Sequence, residues 1–508
     1  MHADTPIIVG TGQITVRDEP LDNLSRPIDL IEQSVFRAAE DAGITRQALT
    51  GTDQIAVVRS FREPMRNTPE AVARRLGAEK AELWLTPDGG EGPQALVNLF
   101  AAKIADGNAK LVVLAGAEAM NNGRRLVKSG TKPDWTEPSD RDPTYIFPDR
   151  QMQSAAEEAN GIFLPSTVFA LVENAIRHHL DRSIDAHQMA MGELFAKFSD
   201  VAAETPTSWY RQRRTAAEIA TPATRNRFVA RPYTKLMNAM NQINQGAALI
   251  LTSVGHAKSL GIPQDRWVHL HGGAKITDIW HFTERPAFHR SEGMRLSNRA
   301  ALDMAGMEVG DIDLLDLYSC FPGAVEMAMD ALGLTADDPR PLTVTGGLAY
   351  HGGAGNNYSM NAIATMCDRL RAAPGKTGLV SSAGAFISKH ASGIYSTAPT
   401  RNGADRWRAI DIAPYQQEID DTPPVTIADA PNGTGTVETY TVLFNRDNEP
   451  TRAVVAGRLE DADDPSAPRF LANTAPDRDL MLSLTRESLI GRTGRVSPGE
   501  QHNFFDPA

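Results

Sequence analysis

The sequence predicts an α/β protein built from two copies of one unit, followed by a small antiparallel β-barrel. Three observations carry this. First, Arg37–Gly43 (RAAEDAG) recurs as Arg299–Gly306 (RAALDMAG) with one inserted residue, and each precedes a short loop and a strand. Second, GGEGPQALVNLF with AKLVVLAG (89–116) is answered by GGAGNNYSMNAI with TGLVSSAG (352–384). Both read as Gly-rich turn, helix, strand, glycine, and a recurring supersecondary unit signals a repeated architecture. Third, beyond about residue 400 the text turns polar and proline-containing, then gives short alternating strands at barrel spacing.

The elements follow in order. Pro6–Gly12 is a buried strand running into a turn. Pro27–Gly43 is a helix: Pro27 suits a first turn, Ile28, Ile31, Val35 and Ala39 share one face, and Gly43 can cap the end. Gln54–Val58 is a strand and Thr68–Leu76 a helix. The turn Gly89–Gly92 opens a helix with Leu96, Val97, Phe100 and Ile104 on its apolar face, ending at Asp106-Gly107. Leu111–Ala115 is continuously apolar, as in a sheet covered on both faces.

The segment 121–235 changes character, with several prolines and helical patches near 167–180 and 185–203, and reads as an inserted loop domain. Its last part, 205–235, holds Arg211, Arg213, Arg214, Arg225, Arg227, Arg231 and Lys235 against one acid, Glu218. Such a patch can hold phosphate by guanidinium contacts, or it can be a solvated face paired with acids elsewhere. The apolar run at 247–253 and Trp267–Gly272 are strands, Asn298–Gly306 is a helix, and Asp313–Tyr318 is a strand. The expected division is 1–250 for the first half including 121–235, 251–398 for the second, a linker at 399–424 and a barrel at 425–508. Within the barrel, Gly433–Val442, Arg452–Leu459, Arg469–Ala472 and Leu489–Val496 are strands, with a short helix near 476–484.

At 508 residues the chain exceeds one ordinary core, and 41% hydrophobic content is that of a soluble globular protein. No apolar run is long enough to span a bilayer, so membrane insertion is not expected. The start, MHADTPIIVGTG, lacks a basic region and a signal-like core, which makes the cytoplasm the default location. Two cysteines, Cys320 and Cys367, exclude a disulfide framework and a Cys-rich zinc site, and no metal is expected. A net charge of −12 argues against nucleic-acid affinity, as do eight Arg, no Lys and thirteen acids in 425–508.

The chemistry concentrates in Thr343–Tyr358 (TVTGGLAYHGGAGNNY). Its glycines allow positive φ and close backbone approach, and it opens a helix whose first N–H groups can hold an anion or a polarised carbonyl. The alternative is a tight packing turn. Tyr318, Ser319 and Cys320 lie upstream of it, and Ser381, Ser382, Lys389 and His390 downstream, each group just after an apolar run.

IIVGTGQ, ADGNAKLVVLAGAEAM, INQGAALIL, DIDLLDLYSCF and TGGLAYHGGAGNN, together with the repeated helices, resemble the thiolase superfamily, nearest its sterol-carrier-protein branch. The resemblance spans about residues 5–398 and implies a five-layer αβαβα fold. GTGTVETYTV resembles the start of the OB-fold partners of thiolase-like lyases. The whole is similar to the thiolase-like protein type 1 group, which carries an added C-terminal barrel. This implies an acyl-CoA thioester as substrate and coenzyme A as its carrier. Thiolase folds usually form homodimers through a sheet edge, which the added barrel would block or reinforce.

The departures from the family are specific. Gly89 stands where a thiolase has its nucleophilic cysteine, and covalent acyl transfer needs that thiolate. His-Asp-Cys-Phe of the sterol-carrier branch becomes Tyr318-Ser319-Cys320-Phe321, and Gly-His-Pro becomes Gly352-Gly353-Ala354, with His351 two positions earlier. The second family cysteine falls at Ser382. The resemblance therefore implies non-thiolytic, retro-aldol or Claisen-type C–C chemistry. In it Tyr318 or Tyr350 is the base, with His351 and His390 as its neighbours. Gly352, Gly353 and Asn356 hold the thioester, Gly89 leaves room for it, and Arg213 and Arg214 hold its phosphates. The alternatives are an acyltransferase with a substitute nucleophile, Cys320 or Ser382, and a non-catalytic acyl-CoA binding protein.

Overall fold

The computed structural model of the 508-residue chain describes residues 1–61, 65–400, 406–459 and 466–508. The first half runs β1 (Pro6–Thr15), α1 (Pro27–Asp41), β2 (Gln54–Val57), α2 (Thr68–Leu76), β3 (Glu82–Leu85), α3 (Gly92–Ala105) and β4 (Leu111–Ala119). The segment that follows holds α4 (Met120–Lys128), α5 (Ala155–Ala159), α6 (Pro165–His179), α7 (Ile184–Glu204), α8 (Ala216–Ala220), β5 (Phe228–Ala230) and β6 (Tyr233–Thr234). Then come β7 (Asn244–Ser253), α9 (Val254–Ser259), β8 (Val268–Thr277), α10 (Glu292–Ala305), β9 (Leu314–Leu317), α11 (Pro322–Leu332), α12 (Gly347–Tyr350), α13 (Tyr358–Ala372), β10 (Thr377–Gly384) and β11 (Lys389–Ser396).

Among the described residues these strands make a nine-stranded mixed sheet in the order β3-β2-β4-β7-β1-β8-β11-β10-β9. The order reads symmetrically outward from β1 and β8, which meet antiparallel through Ile7–His269 and Ile8–Val268. Helices α3 and α13 touch each other and strands of both halves, so the sheet wraps this central helical layer. Helix α1 covers one outer face and α10 the other, giving the five layers expected.

The repeat has a packing cause. A side chain at Gly10 of β1 would strike the Ala38 carbonyl of α1, and one at Gly272 of β8 would strike the Ala301 carbonyl of α10. Each Gly–Ala pair lets a helix lie close on its strand, so both copies retain small residues there. Gly306 ends α10 with φ 61°, and Gly43 follows α1 with φ 71°. Strand β3 was not expected: ELWL is short and half-exposed, without the apolar run that marks β4.

Beyond the sheet lie α14 (Ala413–Asp420), β12 (Gly433–Phe444), β13 (Pro450–Leu459), β14 (Arg469–Asn473), α15 (Arg478–Ser483), β15 (Thr493–Ser497) and β16 (Phe504–Pro507). Among the described residues five strands close a barrel in the order β13-β14-β16-β15-β12 and back to β13. Its core packs Phe470 on Phe505, with ring centroids 5.6 Å apart. The expected linker contains α14, which packs on α10 and β8; residues 401–405 of it, and 460–465 of the barrel, lie outside the described residues. Strands β5 and β6 extend the barrel's sheet from β12, tying 228–234 to it. No described helix is long and apolar enough to cross a membrane.

Candidate active site

Four turns meet at the inner end of α3. The Gly89 N–H donates to Asn356 Oδ1 at 2.9 Å, and Asn356 Nδ2 donates to the Arg59 carbonyl and to Asp88 Oδ1, both at 2.9 Å. Ser359 Oγ donates to the Gly90 carbonyl at 2.7 Å. A side chain at Gly90 would strike the Tyr318 hydroxyl and would approach the Ala383 carbonyl at 2.7 Å. Thus 88–92, Tyr318, 355–359 and 383–389 form one wall, because the pseudo-symmetric halves bring equivalent strand-end loops together.

The centre of this wall is an acid that the sequence reading passed over. Glu91 precedes α3 at its N-cap position, yet its carboxylate makes no cap bond. It is buried, and Oε1 lies 3.1 Å from Lys389 Nζ. Oε2 has no hydrogen-bond partner among the described residues. A Cβ on Gly89 would strike that oxygen and lie 2.5 Å from Lys389 Nζ; one on Gly384 would strike the same oxygen. The carboxylate and ammonium therefore fill the space that a side chain at 89 would take. Lys389 Nζ also donates to the Asp88 carbonyl. An ammonium has three donors, so one N–H remains. Lys275 adds a third charge nearby: burial depresses its pKa, Glu91 opposes this and Lys389 adds to it.

Tyr318 keeps part of its surface exposed and meets Tyr358 edge-on, with centroids 5.9 Å apart. Tyr358 is fixed by Asp316 at 3.1 Å and Thr345 at 2.6 Å. Burial, then Cys320 and Glu91, push the Tyr318 phenol well above its ordinary pKa. Burial thus favours the neutral phenol, and the base expected at this position would have to ionise against that shift. Ala385 and Ile387, in the turn before Lys389, hold φ of 54° and 63°. For branched Ile387 this is strained, as at many functional turns.

Several expected site residues lie elsewhere. The Tyr350 hydroxyl donates to the Leu236 carbonyl at 3.1 Å, and its ring packs on Phe195, so it does not reach the turn. His351 is one ring removed, edge-on to Tyr358 at 6.0 Å, with Nε2 3.3 Å from Thr207 Oγ1. Burial pushes its pKa down to about 4. His390 alternates with Lys389 along β11 and so faces α10, where Nε2 lies 3.1 Å from Ser291 Oγ. Burial pushes its pKa down to about 4, and Asp278 opposes this. Ser382 Oγ donates to the Ala391 carbonyl at 2.7 Å. Burial pushes the Cys320 thiol far up. The Gly353 N–H donates to the Met240 carbonyl at 3.1 Å and is not free for a thioester. Gly352, with φ 122°, abuts Gln245 Oε1.

Nearby opens a cleft of about 1100 Å³. Its floor includes Ser60 and Glu118; Glu118 accepts from Ser60 Oγ at 2.9 Å and from the Phe61 N–H at 2.7 Å. A side chain at Gly355 would strike Glu118, so the floor adjoins the turn that holds Asn356. Its walls carry Arg124, Lys128, Arg225, Arg227 and Lys235. Arg213 and Arg214 are not among them. Arg213 is paired on the surface with Asp200 at 2.8 Å and Glu204 at 2.6 Å, and Arg214 lies 3.6 Å from Glu218. Elsewhere Glu173, His187 and Glu326 place ligand atoms within 4.8 Å of one another, a set that could hold a metal ion. There His187 Nε2 and Glu173 Oε1 lie 2.6 Å apart, and Tyr233 donates to Glu173 Oε2.

A five-layer fold with converging Gly-rich turns defines a thiolase-like protein. The family described as the thiolase-like protein type 1 additional C-terminal domain matches residues 414–501. Over all of both chains the structure is similar to a monomeric SCP2-thiolase like protein type 1 from Mycobacterium smegmatis, at 35% identity and TM-score 0.85. The chain belongs to this SCP2-thiolase-like protein type 1 family. It also resembles the Ltp2–ChsH2(DUF35) aldolase, at 19% identity and TM-score 0.59, over 77% of this chain and 98% of that one. The dimeric peroxisomal thiolase of Saccharomyces cerevisiae aligns at 14% identity and TM-score 0.55, over 78% and 98%. No curated protein matches the chain.

Proposed function

We propose that this chain binds acyl-CoA thioesters and makes or breaks a carbon–carbon bond beside them without a covalent acyl-enzyme. The observation that supports this is the Glu91–Lys389 pair filling the space beside Gly89, the position to which the family resemblance assigns a thiolase's nucleophile. Coenzyme A would place its phosphates against Arg225, Arg227 and Lys235, and its thioester past Glu118 toward Gly89.

In the cleavage direction, Glu91 Oε2 takes the proton of a 3-hydroxyl group. The C2–C3 bond breaks, C3 leaves as a carbonyl, and the electron pair becomes an enolate. The remaining N–H of Lys389 holds the enolate oxygen in a water-poor site, where such a contact is strong. Tyr318 gives C2 its proton and regains one from Glu91, so protons and charge balance. Cys320 and Ser382 are poor substitute nucleophiles, one because burial keeps its thiol protonated and the other because its hydroxyl is spent. The resemblance to a protein described as an aldolase supports the same direction. The test is incubation with 3-hydroxyacyl-CoA and 3-ketoacyl-CoA panels, products read by mass. Cleavage lost in Glu91→Gln is expected; products that persist in that variant would overturn the assignment.

A further inference from the structure

We infer that the C-terminal barrel is part of the ligand site, its Arg446 binding the 3′-phosphate at the far end of coenzyme A. This rests on the proposal that the cleft takes coenzyme A. Arg446 lines the cleft from the turn between β12 and β13. The turn is pinned: Asn445 Oδ1 accepts the N–H of Asp447 at 2.9 Å and of Glu449 at 3.0 Å. The hairpin is in turn fixed to the cleft's own wall. Leu443 pairs with Ala230, the Arg231 N–H donates to the Val442 carbonyl at 2.8 Å, and the Phe228 N–H donates to Asn448 Oδ1 at 3.1 Å. Phe228 and Phe444 pack with centroids 5.5 Å apart. The backbone that carries Arg446 is therefore pinned, so a ligand has only the side chain to order.

The charge pattern says what the arm meets. Arg124, Lys128, Arg225, Lys235 and Arg446 are exposed around the cleft and have no ion-pair partner among the described residues. Like charges gathered in a concave site repel one another until an anion neutralises them. Arg213 shows the contrast, with two carboxylates on it. The cleft also has a direction. Ser60 and Glu118 mark the end beside Gly355, where the thioester must enter. Arg446 comes instead from the barrel's β12–β13 turn, and Arg225 from the segment just before β5. The group of coenzyme A farthest from its thioester is the phosphoadenosine, and its 3′-phosphate is a dianion suited to guanidinium forks.

The test is titration calorimetry of the full chain and of Arg446→Ala with coenzyme A, dephospho-coenzyme A and pantetheine. The expected result is that Arg446→Ala weakens coenzyme A by about 10- to 100-fold, the worth of a charge-assisted contact, and leaves dephospho-coenzyme A unchanged. The turn is exposed, so an unchanged thermal midpoint is expected and verifies folding. Equal loss for both ligands, or loss for neither, would overturn the role of Arg446 while leaving the cleft reading standing. Failure of the unsubstituted chain to bind coenzyme A would remove both.

Discussion

Gly89→Ala probes the centre of the account without needing a substrate. Two costs add. Gly89 sits at φ 153°, where a side chain is strained by about 1–3 kcal/mol. The new methyl would also strike Glu91 Oε2 and lie 2.5 Å from Lys389 Nζ, both buried, so the ion pair must part. Breaking a buried pair costs about 3–5 kcal/mol. The expected loss is thus about 4–8 kcal/mol, read as the shift in unfolding free energy on denaturant titration. In a Glu91→Ala/Lys389→Met background the methyl has room. There its cost should fall to the backbone part alone, about 1–3 kcal/mol. A Gly89→Ala protein within about 1 kcal/mol of the parent, or a cost equal in both backgrounds, would refute the claim that the pair occupies this space.

Tyr318→Phe should lower turnover by about two to four powers of ten while coenzyme A binding persists, whereas Tyr350→Phe should leave turnover intact; both are read by product mass and calorimetry. Cys320→Ala should not change turnover, and the native thiol should alkylate slowly, as checked by intact mass. Arg213→Ala with Arg214→Ala should leave coenzyme A binding unchanged, while Arg225→Ala with Lys235→Ala should weaken it and flatten its salt dependence. Burial depresses His351 and His269 to about 4 in the folded state, against about 6.5 unfolded. Their neutral forms therefore stabilise the fold fully above pH ~6.5, and that contribution is lost as pH falls toward ~4, on the order of 3 kcal/mol for each. His351→Gln should make the loss of stability over this window shallower by about one proton.

The fold was legible because its causes are local and repeated. Gly10 with Ala38, and Gly272 with Ala301, are the small residues that close strand–helix packing demands, and they leave a visible motif. Gly89 and the 352–357 turn were legible as partners because the two copies match. Glu91 was hidden inside the turn GGEG. Its signal was an acid flanked by glycines, with Lys389 in the answering strand, but no spacing in sequence ties 91 to 389. Tyr318 and Tyr350 look alike in sequence, but Tyr350, at the end of α12, gives its hydroxyl to the Leu236 carbonyl. Arg213 and Arg225 share one basic patch; what separates them is that Asp200 and Glu204, on α7, reach the first and not the second.

The most direct test of non-covalent enolate chemistry is proton exchange at C2. A panel of acyl-CoA thioesters would be incubated in deuterium oxide with the full chain, Glu91→Gln and Tyr318→Phe, with ligand and protein masses followed together. The account predicts deuterium entering C2 with the parent protein, sharply less with either variant, and an unchanged protein mass throughout. An acyl adduct on the protein, mapped to Cys320 or Ser382, or C2 exchange no faster than in buffer, would contradict it.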